Sequence, residues 1–158
     1  MTRITIDITG ITVKSQIYES VNSLVYRGVR ERDGQPIILK LLKQDYPTPD
    51  ASIRYQQEYE ITRKLNLEGV VKVYDLQHYE NTRVMLLEDF GGESLRILTQ
   101  TRQLTLSEFL RIFIKITEIL GQVHQHNVIH KDINPSNIAL ILYSETSFEY
   151  FAQKNTHW

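Results

Sequence analysis

The chain has 158 residues, enough for one ordinary domain or for one domain and a fragment. Its composition of 41% hydrophobic and 23% charged residues is typical of globular proteins, and a formal net charge of -1 gives no reason to expect nucleic acid or membrane as a partner. The sequence has no cysteine, which excludes disulfides and thiolate metal sites, and it has no signal peptide or apolar run of membrane-spanning length. We therefore expect a cytoplasmic protein.

The first half of the chain predicts a strand meander, a helix and two more strands. Residues 11–19, 24–29 and 36–42 are rich in strand-forming residues, and Asp33-Gly34 between the last two is a hairpin signal. Thr48 and Pro49 suit the N-cap and first position of a helix over 49–65. Short strands are predicted over 70–76 and 82–88, and Gly91-Gly92 interrupts the chain after them.

The second half contains the strongest helix signal, over residues 106–126, after a short predicted helix. Thr105 and Glu108 have the spacing of a capping box. Apolar residues recur along this helix at helical spacing: Phe109, Ile112, Phe113, Ile116, Ile119, Leu120 and Val123. A polar loop over 128–138 follows, in which Pro135 excludes a regular helix or central strand. Residues 138–142 predict one last strand.

The polar loop contains the motif with the clearest chemistry, His-Lys-Asp-Ile-Asn-Pro-Ser-Asn over residues 130–137. Phosphoryl transfer needs a carboxylate that orients a hydroxyl and accepts its proton, and an oxygen ligand for phosphate-bound Mg²⁺. Asp132 and Asn137 suit these two roles. The motif resembles the catalytic loop of the protein kinase family, His-Arg-Asp-Leu-x-Pro-x-Asn. Asn134 then stands near the transferred phosphate, where serine/threonine kinases usually have lysine.

The resemblance extends to an ATP-binding strand and its partner helix. Ile37-Ile38-Leu39-Lys40 is similar to the Val-Ala-Ile-Lys strand, whose lysine contacts the α and β phosphates of ATP. Glu58 matches the helix glutamate that pairs with this lysine, and Glu60 is the alternative. The resemblance implies ATP and Mg²⁺ as cofactors, with Asn137 as a Mg²⁺ ligand.

Two further segments are assigned by the same resemblance. Residues 87–92, here called the hinge, resemble the segment that joins the two kinase lobes. Leu87 would form the back wall of the adenine site, and backbone groups from Glu88 to Phe90 would hold the base. The lid, residues 18–25, corresponds to the glycine-rich phosphate loop that ends at Val25. The three glycine positions of that loop are Tyr18, Ser20 and Ser23, which indicates a stiffer lid with serines that can still donate to phosphate.

The chain departs from the family pattern after the catalytic loop. Lys131 replaces an arginine that can bind an activation-loop phosphate. No Asp-Phe-Gly follows Asn137, although the family places its second magnesium ligand there. In the family, the helix over 106–126 lies in the core of the larger lobe, and this chain supplies few partners for its apolar stripe. We therefore expect the isolated chain to be marginally stable, aggregation-prone or dependent on a partner.

These features predict an α+β, protein-kinase-like fold. We expect a five-stranded antiparallel N-lobe sheet with one helix over 1–90, an incomplete helical C-lobe over 93–142, and an unrelated tail over 143–158. The predicted function is that of a serine/threonine protein kinase domain that acts on a protein substrate. The loop is similar to those of bacterial Hanks-type kinases that open large multidomain signalling proteins.

Two other functions are compatible with the same residues. One is a non-catalytic kinase-like module, a pseudokinase or scaffold that still binds nucleotide. The other is a small-molecule phosphotransferase of the aminoglycoside type, whose loop is typically His-Gly-Asp-x-His-Pro-x-Asn. Lys131 and Asn134 occupy the two positions that differ, which favours the protein kinases.

Overall fold

The computed structural model of the protein describes residues 6–43, 47–144 and 147–153. By their contacts, the residues form two compact units. The first is the chain up to Tyr59 together with Val73–Asp89, and the second is Glu60–Lys72 together with the chain from Phe90. The lobe boundaries predicted from the sequence remain predictions. Of the predicted segments, residues 1–5 at the start and 145–146 and 154–158 in the tail lie outside the described residues.

The first unit is built on an antiparallel sheet. Its strands are β1 (Ile11–Glu19), β2 (Ser23–Arg30), β3 (Gln35–Leu42), β4 (Val73–Tyr79) and β5 (Thr82–Glu88). They form one five-stranded sheet in the order β1-β2-β3-β5-β4. Helix α1 (Pro49–Lys64) connects β3 to β4, and its last residues belong to the second unit. The predicted α+β, kinase-like fold with a five-stranded sheet and one helix is confirmed.

The hairpin between β2 and β3 forms where Asp33-Gly34 predicted a turn. Gly34 has a φ of +68°, a left-handed conformation that glycine adopts without steric cost. The guanidinium of Arg30 donates to the Asp33 carboxylate with an Nη2–Oδ2 distance of 2.7 Å. This hydrogen bond lowers the pKa of Asp33, and the exposed pair closes the turn.

The predicted strand over 70–76 was displaced by three positions, since β4 begins at Val73. Val70 and Val71 are buried, but Val70 packs with Leu65 in the core of the second unit instead of in the sheet. Two consecutive apolar residues fit a strand and a buried loop equally well, so periodicity alone gave the wrong start.

The two faces of the sheet have different surroundings. Strand register places Tyr26, Leu39 and Leu86 side by side, and this face packs into a cluster with Ile37, Leu41, Val84 and the apolar residues Ile6, Ile8 and Ile11. The opposite face carries the rows Val25–Lys40–Met85 and Arg27–Ile38–Leu87. The residues of the predicted ATP site that lie in β2, β3 and β5 before Glu88 are therefore on one face of the sheet.

The second unit combines helices with a small sheet. Helix α2 (Leu95–Thr101) follows the short strand β6 (Glu93–Ser94), and α3 (Leu106–Gln125) follows α2. Strands β7 (Ile138–Ser144) and β8 (Ser147–Gln153) complete a sheet in the order β6-β7-β8. The predicted tail thus contributes a strand that pairs with β7. No helix in the ranges that the structure describes is long and apolar enough to cross a membrane.

Helix α3 begins at the predicted capping box. The Glu108 carboxylate accepts a hydrogen bond from the Thr105 backbone amide at 2.8 Å, and Thr105 Oγ1 accepts one from the Glu108 amide at 3.3 Å. These contacts and the Arg102 guanidinium, 2.8 Å from Glu108 Oε1, lower the pKa of the Glu108 carboxyl. After the helix, Asn127 adopts a positive φ of 59°, which is common at a helix C-terminus.

The apolar stripe of α3 is only partly buried. Ile112, Ile116, Ile119 and Val123 pack into a core with Leu65, Val70, Leu95, Leu98, Ile138 and Leu140. By contrast, Phe109 and Phe113 are 43% and 45% exposed, and their ring centroids are 4.3 Å apart. One side of the helix is therefore covered by apolar residues of the second unit, and the side that carries Phe109 and Phe113 is partly exposed among the described residues.

Candidate functional site

Lys40 and Glu58 form a buried ion pair in the first unit. Lys40 lies in β3, and its Nζ is 2.6 Å from Glu58 Oε1 on α1. The two side chains are only 3% and 10% exposed. Charged groups at this depth are tolerated when they are paired. Glu60, the alternative partner, is exposed, so the structure brings Lys40 together with Glu58.

Tyr55 is a further contact of Lys40 that the sequence analysis missed. Its hydroxyl donates a hydrogen bond to the Lys40 backbone carbonyl, and its ring centroid is 5.9 Å from Lys40 Nζ. Burial, reinforced by the Glu58 carboxylate, raises the pKa of Tyr55 well above its usual 10.0, so the hydroxyl remains a donor. Tyr55 shares one face of α1 with the buried residues Glu58, Tyr59 and Thr62, but the mixed polarity of this helix gave no signal that would have found it.

Apolar side chains lie beside Lys40 on the same face of the sheet. Val25 is its register partner on β2, and Ile38 and Leu87 form the neighbouring row. All of them are buried. The predicted residues Val25 and Leu87 are therefore on the same face of the sheet as Lys40, and Ile38 lies on that face as well. Ile38 stands at the alanine position of Val-Ala-Ile-Lys, where its larger side chain narrows the space along this face.

The side chain of Ser20 forms hydrogen bonds with the backbone of the lid itself. Ser20 Oγ accepts hydrogen bonds from the backbone amides of Asn22 at 3.3 Å and Ser23 at 3.0 Å. The Ser20 amide in turn donates to the Ser23 carbonyl at 2.9 Å. Tyr18 remains in the strand ladder opposite Val25. Backbone amides in a phosphate loop normally bind the phosphates, so this turn fits a triphosphate less well than the glycine-rich sequence would.

The hinge begins at the end of β5. Glu88 is the last residue of this strand, in register with Ile37, and Phe90 follows two positions later. Gly91 has a φ of +78°. At Gly92 a Cβ atom would come within 2.1 Å of the Phe90 ring, so any larger residue there would displace that ring. Between Glu88 and Phe90, Asp89 binds Arg27 of β2.

In the second unit, the catalytic loop converges on the carboxylate of Asp132. Asn134 Nδ2 donates to Oδ1 at 2.9 Å, and Asn137 Nδ2 donates to Oδ2 at 2.9 Å. The Asp132 backbone amide donates to Nδ1 of the buried His130 at 3.1 Å. The loop thus fixes the position and the orientation of one partly buried carboxylate, whereas Lys131 is exposed.

Asn137 is the most buried residue of this loop, at 2% exposure. Its amide nitrogen donates both to the Asp132 carboxylate and to the Asp132 backbone carbonyl, at 2.9 and 2.8 Å. The amide nitrogen makes both of these contacts, and the amide oxygen, which takes part in neither, is a hard ligand of the kind that Mg²⁺ prefers. The residues that the structure describes contain no group of three or more His, Cys, Asp or Glu side chains that could hold a metal. Taken separately, the paired Lys40 ammonium has the charge that nucleotide phosphates require, and the Asn137 amide has the type of oxygen that Mg²⁺ prefers; the lid departs from the phosphate-binding sequence.

Comparison with known protein families gives a match to the protein kinase domain over residues 11–147. Among curated proteins, the chain is similar to serine/threonine-protein kinase TIO of Arabidopsis thaliana, with 30% identity over 118 residues, or 73% of this chain and 9% of that protein. It is 27% identical over 108 residues to the carbon catabolite-derepressing protein kinase of Saccharomyces cerevisiae, which covers 68% of this chain and 17% of the relative.

A bacterial relative gives a match of the same kind. The probable serine/threonine-protein kinase PknB of Lactococcus lactis is 26% identical over 117 residues, which cover 72% of this chain and 19% of that protein. The matched part of the chain thus spans less than a fifth of the length of each of these relatives. The family match over residues 11–147 contains Lys40, Glu58 and the catalytic loop.

Proposed function

Because this chain belongs to the protein kinase family, we propose that it is a serine/threonine kinase domain that transfers the γ-phosphate of ATP to hydroxyl groups of a protein substrate. The observation that carries this proposal is the buried Lys40–Glu58 pair, with its 2.6 Å contact, in a chain whose second unit also presents the oriented Asp132 carboxylate. An ion pair of this kind fixes a phosphate-binding ammonium, and a fixed carboxylate is what phosphoryl transfer requires.

Each residue has a distinct role in the proposed reaction. Lys40 binds the α and β phosphates, and Glu58 holds the lysine in position. Asp132 orients the substrate hydroxyl and accepts its proton, while Asn134 and Asn137 hold the two carboxylate oxygens. When bound, ATP supplies the phosphoryl group, and Mg²⁺ neutralises the charge on its phosphates. Val25, Leu87 and the backbone from Glu88 to Phe90 surround the adenine.

One observation favours a second candidate function, a kinase-like module that binds nucleotide without transferring phosphate. Ser20 Oγ already uses the Asn22 and Ser23 amides of the lid. A lid with these amides engaged aligns the γ-phosphate less well, which affects transfer more than binding. Ser20 and Ser23 would then stabilise the turn and would not contact the phosphates.

Calorimetry with ATP, with and without Mg²⁺, followed by a phosphorylation assay with a generic basic protein, separates the two functions. For a kinase, we expect Mg²⁺-dependent binding that Lys40→Met abolishes, and phosphoryl transfer that Asp132→Asn lowers by about 100- to 10,000-fold. The exposed residues Lys14 and Asp75 provide the matched controls Lys14→Met and Asp75→Asn, which should leave both measurements unchanged. Binding without any transfer would favour the second function. Transfer that survives Asp132→Asn would overturn the catalytic role of this carboxylate.

We further propose that the domain acts within a larger multidomain signalling protein. The much greater length of its relatives supports this arrangement, as does the similarity of its loop to those of kinases that open such proteins. Its substrate would be a protein that another part of the assembly presents. Expression of the chain with its genomic neighbours, followed by phosphosite mapping, tests this proposal.

A further inference from the structure

An ion pair connects the hinge to the second strand of the sheet. Arg27 Nε is 2.6 Å from Asp89 Oδ2, and Arg27 Nη2 donates a hydrogen bond to Asp89 Oδ1 at 3.3 Å. The Asp89 side chain is only 6% exposed, whereas that of Arg27 is 38% exposed. The carboxylate is thus buried, whereas the arginine side chain that contacts it is partly exposed to solvent.

The contact joins two parts of the sheet that are not adjacent. Arg27 lies in β2 and Asp89 directly follows β5, and β3 separates these strands in the sheet. Strands in a sheet are about 4.8 Å apart, so the arginine side chain reaches across roughly 10 Å, over the position of Ile38. Both residues belong to the first unit, together with Lys40 and Val25.

A buried carboxylate costs free energy that only good pairing recovers, so such a pair can serve to select one conformation more than to add stability. The backbone that follows it is permissive, because Gly91 takes a φ of +78° and Gly92 has no side chain. A segment with two glycines has no strong conformational preference of its own. In addition to the pairing of Glu88 with Ile37 in the strand ladder, the ion pair gives this backbone a side-chain restraint at its start.

We propose that Arg27 and Asp89 form a positioning pair that fixes the hinge backbone at Glu88 and Asp89 relative to β2, and thereby sets the affinity for the purine base. This inference rests on the proposed function, since it assumes that the base binds at the hinge. It assigns the two residues no contact with the phosphates, which Lys40 binds. Base affinity and phosphate affinity should accordingly respond to different substitutions.

The test measures binding of two probes, adenosine and tripolyphosphate, to the full chain by calorimetry. Asp89→Asn preserves the shape of the side chain but removes its charge. We expect this variant to bind adenosine about tenfold more weakly, the scale of one lost preorganising contact, and tripolyphosphate with unchanged affinity. Lys40→Met should weaken the binding of tripolyphosphate and leave the affinity for adenosine unchanged. Arg30→Gln breaks the partly exposed pair between the end of β2 and Asp33 in the turn that follows, and it should change neither affinity.

Conservative and reciprocal variants separate positioning from a merely structural role. Arg27→Lys retains the charge but loses the planar fork, so its loss of adenosine affinity should be smaller than that of Arg27→Gln. The exchange Arg27→Asp with Asp89→Arg should recover most of the adenosine affinity lost in either single variant. Equal losses for both probes, or variants that fail to fold, would make the pair structural and overturn the proposal.

The experiment also distinguishes this inference from the proposed function. If the unmodified chain binds neither adenosine nor ATP, the proposed function fails and this inference fails with it. If it binds both but Asp89→Asn binds adenosine as tightly as the unmodified chain, only the role of the pair is refuted.

Discussion

Removal of one partner of the Lys40–Glu58 pair should destabilise the protein far more than removal of both. The two groups are 2.6 Å apart and only 3% and 10% exposed, so Glu58→Gln leaves a buried ammonium without its carboxylate. Loss of one member of such a pair costs about 3–5 kcal/mol, whereas replacement of both by apolar residues of similar volume is often nearly neutral. Lys40→Met alone should likewise cost about 3–5 kcal/mol, and Lys40→Met with Glu58→Leu should cost much less.

Urea unfolding at 25 °C, followed by circular dichroism, measures this double-mutant cycle. The two single losses should not add, and the coupling free energy should be at least about 3 kcal/mol. Lys43 and Glu19 form a matched pair at 2.5 Å whose side chains are 40% and 49% exposed. Glu19→Gln should leave the unfolding midpoint unchanged within error. Additive losses as small as those of the exposed pair would refute the reasoning that the Lys40–Glu58 pair is desolvated.

Other predictions concern the lid, the long helix and its cap. Ser20→Gly frees two lid amides and should raise affinity for MgATP several-fold in calorimetry, whereas Ser20→Thr, which keeps the hydroxyl, should not. Ile116→Ala should cost about 2–5 kcal/mol in urea unfolding. Phe113→Ser on the open side of α3 should leave stability nearly unchanged and reduce aggregation in light scattering; a loss equal to that of Ile116→Ala would mean that this side is covered. The folded-state pKa of Glu108 is depressed, so its stabilising effect is present above its usual pKa of 4.5 and is lost as the pH falls below that value. Glu108→Gln should therefore flatten the acid limb of a stability–pH curve, and an unchanged limb would contradict the assigned role of the cap.

Several elements were predictable because their signals are local. The bounds of β1 and β5 and the start of α3 follow from strand propensity and from the capping box at Thr105 and Glu108. The start of β4 was not predictable, since the burial of Val70 depends on residues far along the chain such as Leu95. The choice of Glu58 over Glu60 agreed with the resemblance, but periodicity alone could not have made it.

Some site residues could likewise be predicted from a local motif, and others could not. Asp132 and Asn137 are five positions apart in one loop, so their role could be predicted from the motif. Tyr55 and Asp89 were missed because each acts through a partner that is distant in sequence, and a tyrosine on a mixed helix or an aspartate in a hinge has no distinctive local pattern. The hydrogen bonds between Ser20 Oγ and the lid backbone were also missed, because from the sequence this hydroxyl could equally well have contacted a phosphate.

Propensities, caps and motif spacing act within a few neighbouring residues, so they predicted the five strands of the first unit, its helix, the start of α3 and the family, but not β6 or β8. Long-range contacts determine which charges are buried against each other, which side of α3 is covered, and that Asp89 pairs with Arg27 of β2. These outcomes depend on contacts between segments that are far apart in the chain. Burial and pairing are properties of such contacts, and no local pattern specifies them.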